Sequence, residues 1–406
     1  MIEPEHDDPR LLGKRLTAAR KARGVTQEEV VTHLGCSRPT LIAIEKGERR
    51  AKPDEIIKLA AYYGRSVHEL VRPGVETVAL EPHLRAVVDP ASVPQAEMND
   101  AIAELERFAE DYRELERLLD AKPTVPHPPE VSLPKRGSLA DFGEDAATRE
   151  RERLGLGNQP ILNLRQVLES DVGLRVFYGS LPPKIAGMFA YTAELGFCVF
   201  INRKHPSEKR RATLAHEYGH TLCDRHKPGI DYINTQGRKP ASERFAEAFG
   251  LGFLMPASGV RRKFHEITVS TGDFQVADLC RLSIYYWVSV QAMTLRLEEL
   301  GLIAKGSWSF LEEKGFKPRK ASADLGLTPR HAKSDDPYPL RYKFLAVQAF
   351  DEGKISEGQL CKFLRCDPVA AREIVVACLD QSFIDEDGEV WTQKMPFEKS
   401  LWNTRS

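Results

Sequence analysis

The chain has 406 residues, 42% of them hydrophobic and 29% charged, and a formal net charge of −1. That balance fits a soluble globular protein of two or three domains and excludes a disordered or fibrous chain. No apolar run reaches the roughly 18 residues of a membrane helix, the acidic start Met1–Asp8 is no secretory signal, and seven scattered cysteines point to reduced thiols in a cytoplasmic protein.

The charge is unevenly spread. Between Arg10 and Arg72 fourteen basic residues stand against seven acidic ones, and a stretch of +7 on a near-neutral chain suggests a polyanion partner. Gly13–Arg23 reads as a first helix with Leu16 and Ala19 facing inward. Thr26, with Glu29 three residues later, makes a capping box that opens a second helix. Gly35 ends that helix at a sharp turn, and Ser37 caps a third, Arg38–Lys46, anchored by Leu41, Ile42 and Ile44. Short helices joined by a tight turn fit helix-turn-helix geometry, with the second helix of the pair in the major groove. On that reading the partner is double-stranded DNA. Ser37, Arg38 and Thr40 are then candidates for base edges, and Gln27, Lys46, Arg49 and Arg50 for phosphates. The competing reading is a small helical protein-interaction domain with an ordinary charged surface. The run from Thr26-Gln27-Glu28-Glu29-Val30 through Ile44-Glu45-Lys46-Gly47 resembles the XRE/Cro/C1 helix-turn-helix family. The resemblance spans residues 10–72 and implies operator binding, commonly as a dimer.

Residues 73–140 read as a linker that contains one patterned helix. Met98, Leu105, Tyr112 and Leu119 fall seven apart, and Ala101, Phe108 and Leu115 fall three after the first three of them. This a/d seam fits a short coiled coil, which would supply a homodimer contact, or equally an amphipathic helix packed on its own domain. The prolines at 123, 126, 128, 129 and 134 predict an extended, exposed segment over 121–137.

Next, Ile161–Glu169 reads as helix and Leu174–Tyr178 as strand. Ala186–Tyr191 and Phe197–Ile201 read as two strands around a turn containing Gly196, with the second as a candidate sheet edge for an extended substrate. Helices follow from Ser207 to Cys223 and from about Ser242 to before Pro256. The first of these carries the strongest motif, His216-Glu217-Tyr218-Gly219-His220. On a helix, residues four apart share a face, so His216 and His220 can grip one ion, while Glu217 is offset by about 100° as general base. Imidazole nitrogen suits zinc. Glu243, at the start of the next helix, is the candidate third ligand. Glu247, one turn later, is the candidate partner for the far nitrogen of a ligating histidine. Tyr191, Tyr218 and His226 are candidates for oxyanion stabilisation.

The run Arg211-Ala212-Thr213-Leu214-Ala215-His216-Glu217-Tyr218-Gly219-His220, with Glu243-x-x-Ala246-x-x-Phe249 and Phe253-Leu254-Met255-Pro256, resembles the ImmA/IrrE metallopeptidase family over residues 150–305. The resemblance implies a gluzincin-like endopeptidase with zinc on His216, His220 and Glu243, and Glu217 as base. It also implies cleavage of helix-turn-helix repressors. Glu247 stands where that family usually has asparagine.

Phe274–Ile303 reads as a helical pair packed on this domain, and residues 306–406 as a mainly helical region without a chemical motif, loop-like near Lys314–Tyr338. The expected fold class is α+β: an all-α helix-turn-helix domain, a linker helix, a zincin-like domain with a small sheet, and a helical C-terminal region. The expected function is a DNA-binding transcriptional regulator that cleaves a repressor, either a partner or itself within 121–137. The alternative is a regulator whose peptidase-like domain senses a ligand or metal without hydrolysis. A structural zinc site fits least, since such sites fill four positions, usually with cysteine, and only Cys223 is near in sequence.

Overall fold

The computed structural model describes residues 9–63, 67–71, 94–121, 127–192, 195–227, 229–232, 239–327, 336–379, 382–384 and 390–392. The chain forms two units, Met1–Glu110 with Thr124–Pro337 and Asp111–Pro123 with Tyr338–Ser406.

The first unit opens with five helices: α1 (Pro9–Ala22), α2 (Gln27–Leu34), α3 (Arg38–Glu45), α4 (Pro53–Tyr63) and α5 (Val67–Val71). Thr26 and Glu29 form the expected reciprocal capping box, Gly35 takes the left-handed conformation at φ 67° that ends α2, and Ser37 caps α3. Leu16, Val30, Leu41, Ile44 and Leu59 gather into a separate apolar core.

Helix α6 (Gln95–Leu118) follows. Every a/d position from Met98 to Leu115 is buried within this one chain. Phe108 stacks on Phe177 at 4.8 Å and meets Phe200 edge-on at 5.8 Å. The structure favours the internal reading of the heptad pattern: Phe108 packs on the sheet within the first unit, and Tyr112 packs against Tyr342 within the second.

The sheet that α6 covers contains β1 (Arg175–Gly179), β2 (Ile185–Thr192), β3 (Gly196–Asn202) and β4 (Gly229–Tyr232), in the order β1-β3-β2-β4. β1 runs parallel to β3; β2 runs antiparallel to both β3 and β4. Phe197–Ile201 therefore lies inside the sheet, and the expectation of a substrate edge there is corrected: both sides of β3 are already paired, and among the described residues β1 and β4 are the edges. Alternation sorts the side chains. Phe177 and Phe200 meet α6, while Val176, Val199 and Ile201 join a larger core with Leu214, Tyr218 and Phe249.

That core is roofed by α7 (Leu139–Arg153), α8 (Leu164–Ser170), α9 (Ser207–Cys223) and α10 (Ala241–Leu254). Five helices continue: α11 (Ala257–Thr271), α12 (Val276–Tyr286), α13 (Val290–Glu299), α14 (Ser307–Glu313) and α15 (Pro318–Asp324). The expected pair over Phe274–Ile303 is present as α12 and α13, and α15 lies inside the stretch read as a loop. The 121–137 segment is not simply exposed. Val131 donates its amide to Leu222 O at 2.7 Å, Arg225 donates to Pro128 O at 2.7 Å, and Pro128 is buried. Residues 122–126 lie outside the described residues.

In the second unit α16 (Leu340–Asp351), α17 (Glu357–Leu364) and α18 (Pro368–Leu379) precede the hairpin of β5 (Ser382–Ile384) and β6 (Val390–Thr392). Tyr342 stacks on Tyr338 and donates to Phe363 O at 2.9 Å. The fold class is α+β, mostly helical with a small sheet. Among the described residues no helix is long and apolar enough to cross a membrane.

Candidate metal centre and nucleic-acid interface

Two helices build the metal centre, and small residues let them approach. A Cβ placed on Gly219 would lie 2.8 Å from Ala246 Cα, and one on Gly250 would lie 3.3 Å from His216 N. With no side chain at these two positions, α9 and α10 come close enough for Glu243 to face the histidines. Gly143 of α7 packs equally tightly on α10, where an added Cβ would lie 2.8 Å from Ala248 Cβ.

The ligand atoms converge. His216 Nε2 and His220 Nε2 lie 3.1 Å apart, Glu243 Oε1 lies 3.2 Å from His220 Nε2, and Glu243 Oε2 lies 3.4 Å from His216 Nε2. Four ligands about 2.05 Å from a central zinc would stand about 3.3 Å from one another in a tetrahedron. The imidazole separation fits one edge of such a tetrahedron, Glu243 offers one carboxylate oxygen to each histidine, and the donor set of two imidazoles and one carboxylate suits that ion. The group contains three side chains. Hydrogen bonds from His216 and His220 hold the Glu243 carboxyl well below the usual carboxylate range, against the effect of burial.

Behind His220 stands Asp224, which the sequence reading did not single out. Its Oδ1 lies 3.0 Å from His220 Nδ1. Burial works against the Asp224 carboxylate, yet hydrogen bonds from His220, Cys223 and Ser242 keep its pKa below the usual range. A carboxylate only accepts, so Nδ1–H donates to Asp224; Nε2, which carries a second proton toward Glu243 in the metal-free centre, is the nitrogen whose lone pair an ion would take. Without metal, burial alone would disfavour a charged His220. Hydrogen bonds to Asp224, Cys223 and Glu243, with the nearby charge of Glu217, outweigh it and raise the His220 pKa well above its ordinary value. Phe189 stacks on the His220 ring at 5.4 Å.

Glu217 is 1% exposed. Glu247 lies elsewhere: its Oε1 pairs with Lys239 at the surface, and the carboxylate on the far nitrogen of His220 is Asp224. Of the oxyanion candidates, Tyr218 is buried with its hydroxyl donating to Glu150, so it faces the core. Tyr191 packs against Phe197 and His226.

In the N-terminal helices, Ser37 Oγ and Thr40 Oγ1 lie 2.8 Å apart at the start of α3. Arg38 is exposed beside them, 4.0 Å from the equally exposed Glu28. Lys46 and Arg50 are also exposed. Gln27 and Arg49 are engaged inside the domain. Gln27 donates to Glu45 Oε2 at 2.8 Å, and Arg49 makes two 3.0 Å bonds to Glu55. Glu45 is buried and also takes a bidentate pair from Arg20 at 2.6 and 3.2 Å. One carboxylate thus ties α1, α2 and α3 together, a role that shows only when all three helices are in place.

The model of a helix-turn-helix domain matches residues 11–72, and that of an IrrE N-terminal-like domain matches residues 169–298. An uncharacterized HTH-type transcriptional regulator of Sinorhizobium fredii is 37% identical over 71 residues, 18% of this chain and 92% of that protein. The matched IrrE-like stretch holds α9 and α10, and with them His216, Glu217, His220 and Glu243. The stretch behind its first domain is similar to an IrrE N-terminal-like domain, and the chain belongs to the HTH-type regulators through its DNA-binding helix-turn-helix domain.

Proposed function

We propose that the chain is a transcriptional regulator with zinc-dependent endopeptidase activity, cleaving a helix-turn-helix repressor that is either a partner or this chain itself. The observation that carries the reading is the convergence of His216, His220 and Glu243 on one point between two helices, with Asp224 bonded to the far nitrogen of His220. Three protein ligands are the count of a catalytic zinc site, whereas a structural site takes four. Bound zinc would polarise the scissile carbonyl and ease deprotonation of the attacking water. His216, His220 and Glu243 would hold the ion. Glu217, next to His216 on α9 and enclosed by the core, takes the proton of the attacking water and returns it to the leaving amine. Gly219, Gly250 and Gly143 keep α7, α9 and α10 at the spacing this requires. In the DNA-binding domain, Ser37, Arg38 and Thr40 read base edges, and the exposed Lys46 and Arg50 contact phosphates. Gln27 and Arg49 act as supports, through Glu45 and Glu55.

The test compares wild type with Glu217→Gln, both shown by elemental mass spectrometry to carry about one zinc. Repressor cleavage and the change in target transcription should both disappear in the variant. Regulation that survives the substitution unaltered would refute the peptidase reading and leave a DNA-binding regulator with a non-hydrolytic sensor domain.

A further inference from the structure

A groove of about 1570 Å³ opens from His216 and Glu243. It runs past the N-terminal turns of α9 and α13 and along α15. Four exposed cations line it: Arg203, Lys209, Lys317 and Arg319. None of the four has an ion-pair partner among the described residues. Lys239, by contrast, is neutralised by Glu247 at the metal end. The helix termini add to the positive potential, because their first amides point N–H groups outward. Thr213, 2% exposed and one turn before His216, also lines the groove, and its Oγ1 has no hydrogen-bond partner among the described residues. His205, another lining residue, has its Nδ1 buried without a partner among the described residues.

We propose that this groove binds the substrate polypeptide to one side of the scissile bond and selects segments carrying several acidic side chains there. The inference rests on the peptidase reading and adds its substrate class. Fixed cations in a cleft focus their field on an incoming ligand and speed its capture. The buried Thr213 hydroxyl and His205 nitrogen suit the amides of a peptide backbone. Glu208, Glu243 and Glu247 line the same groove. They repel a uniformly charged polyphosphate but not a peptide whose charges fall only opposite the cations. An acidic peptide is therefore favoured over nucleic acid.

The experiment uses the zinc-loaded full-length Glu217→Gln protein and fluorescein-labelled 14-residue peptides. The peptides are alike except that four positions are all Glu, all Gln or all Lys, and binding is read by fluorescence anisotropy. Exposed ion pairs are each worth up to about fivefold. The Glu peptide should bind on the order of tenfold or more tighter than the Gln peptide, with the advantage shrinking in high salt. The surface reversals Lys209→Glu with Arg319→Glu should erase it, and so should Arg203→Glu with Lys317→Glu, while circular dichroism confirms folding. Arg38→Glu with Lys46→Glu in the DNA-binding domain should leave it intact.

Equal binding of the Glu and Gln peptides, or a preference untouched by both groove reversals, overturns the proposal. So does tighter groove-dependent binding of a ten-nucleotide single-stranded oligonucleotide. Wild-type cleavage, mapped on a mixed peptide library, separates the two readings. Cleavage without acidic enrichment sinks the groove inference alone. Acidic peptide binding with no cleavage of any peptide or repressor sinks the peptidase reading alone.

Discussion

Gly219→Ala would test how the metal centre is assembled. In the interior of an exposed helix, alanine is more favourable than glycine by up to about 1 kcal/mol. Here the added methyl would meet Ala246 Cα at 2.8 Å, its Cβ at 3.1 Å and its carbonyl oxygen at 3.3 Å. Carbon atoms rest about 3.5–4.0 Å apart, so α9 and α10 must part by about 0.7 Å or more. Such overpacking costs about 1–3 kcal/mol, which after the propensity gain leaves a net loss of up to about 2 kcal/mol. The same movement carries Glu243 away from His216 and His220, and zinc ligation tolerates only about 0.2 Å of error in ligand distance. Zinc affinity, measured by competition with a chromophoric chelator, should fall by roughly tenfold or more. Urea unfolding of the zinc-free protein should show the stability loss. If the variant keeps wild-type zinc affinity and gains about 1 kcal/mol of stability, only propensity operates and the close-approach argument is wrong.

Four further outcomes are expected. Asp224→Ala removes the acceptor that fixes His220, so zinc affinity should drop about 10–100-fold while helix content stays unchanged by circular dichroism. The metal-free centre holds a proton on His220, whose folded pKa lies above its unfolded value. That proton stabilises the metal-free fold at low pH, and the benefit is lost as pH rises through the raised pKa. Zinc must displace it, so calorimetry in buffers of differing ionisation enthalpy should show about one proton released near pH 7 and tighter binding as pH rises. Glu45→Ala leaves the partly buried Arg20 without its carboxylate and Gln27 without its acceptor. It should destabilise the helix-turn-helix domain by about 3 kcal/mol or more in thermal unfolding and weaken operator binding with it. Phe108→Ala should cost about 3–5 kcal/mol on unfolding, without changing the mass of the folded protein in sedimentation; a shift in mass would show that α6 holds a second copy.

How far the residues foretold the fold depended on the range of the forces involved. Thr26 with Glu29, Gly35 and Ser37 set the bounds of α2 and α3 through bonds that span three or four residues, so those helices could be read directly. The His216–His220 spacing was legible for the same reason, since a single helix turn places both on one face. The reach from α9 to Glu243 was guessed from the next helix's pattern, but the distances depend on Gly219 lying against Ala246, a contact between helices.

Where partners lie far apart, local pattern was silent or ambiguous. The heptads of α6 fit a dimer seam as well as an internal face, and only the position of Phe177 and Phe200 beneath Phe108 decided between them. β3 looked like an edge because alternation in one strand says nothing of its neighbours; β1 and β2 occupy both its sides. The sequence reading put Glu247 behind a histidine and passed over Asp224, although Asp224 stands four residues after His220, within reach along one helix. The turn after Cys223 brings Asp224 behind His220, while Lys239 draws Glu247 to the surface. By itself the sequence determined the helix caps, the motif-bearing helix and the chemistry of its ligands, because those rest on neighbours along one chain segment. Tertiary structure alone decided how closely Glu243 faces the histidines, which strands are edges and which cations line the groove, because those rest on groups that meet only after folding.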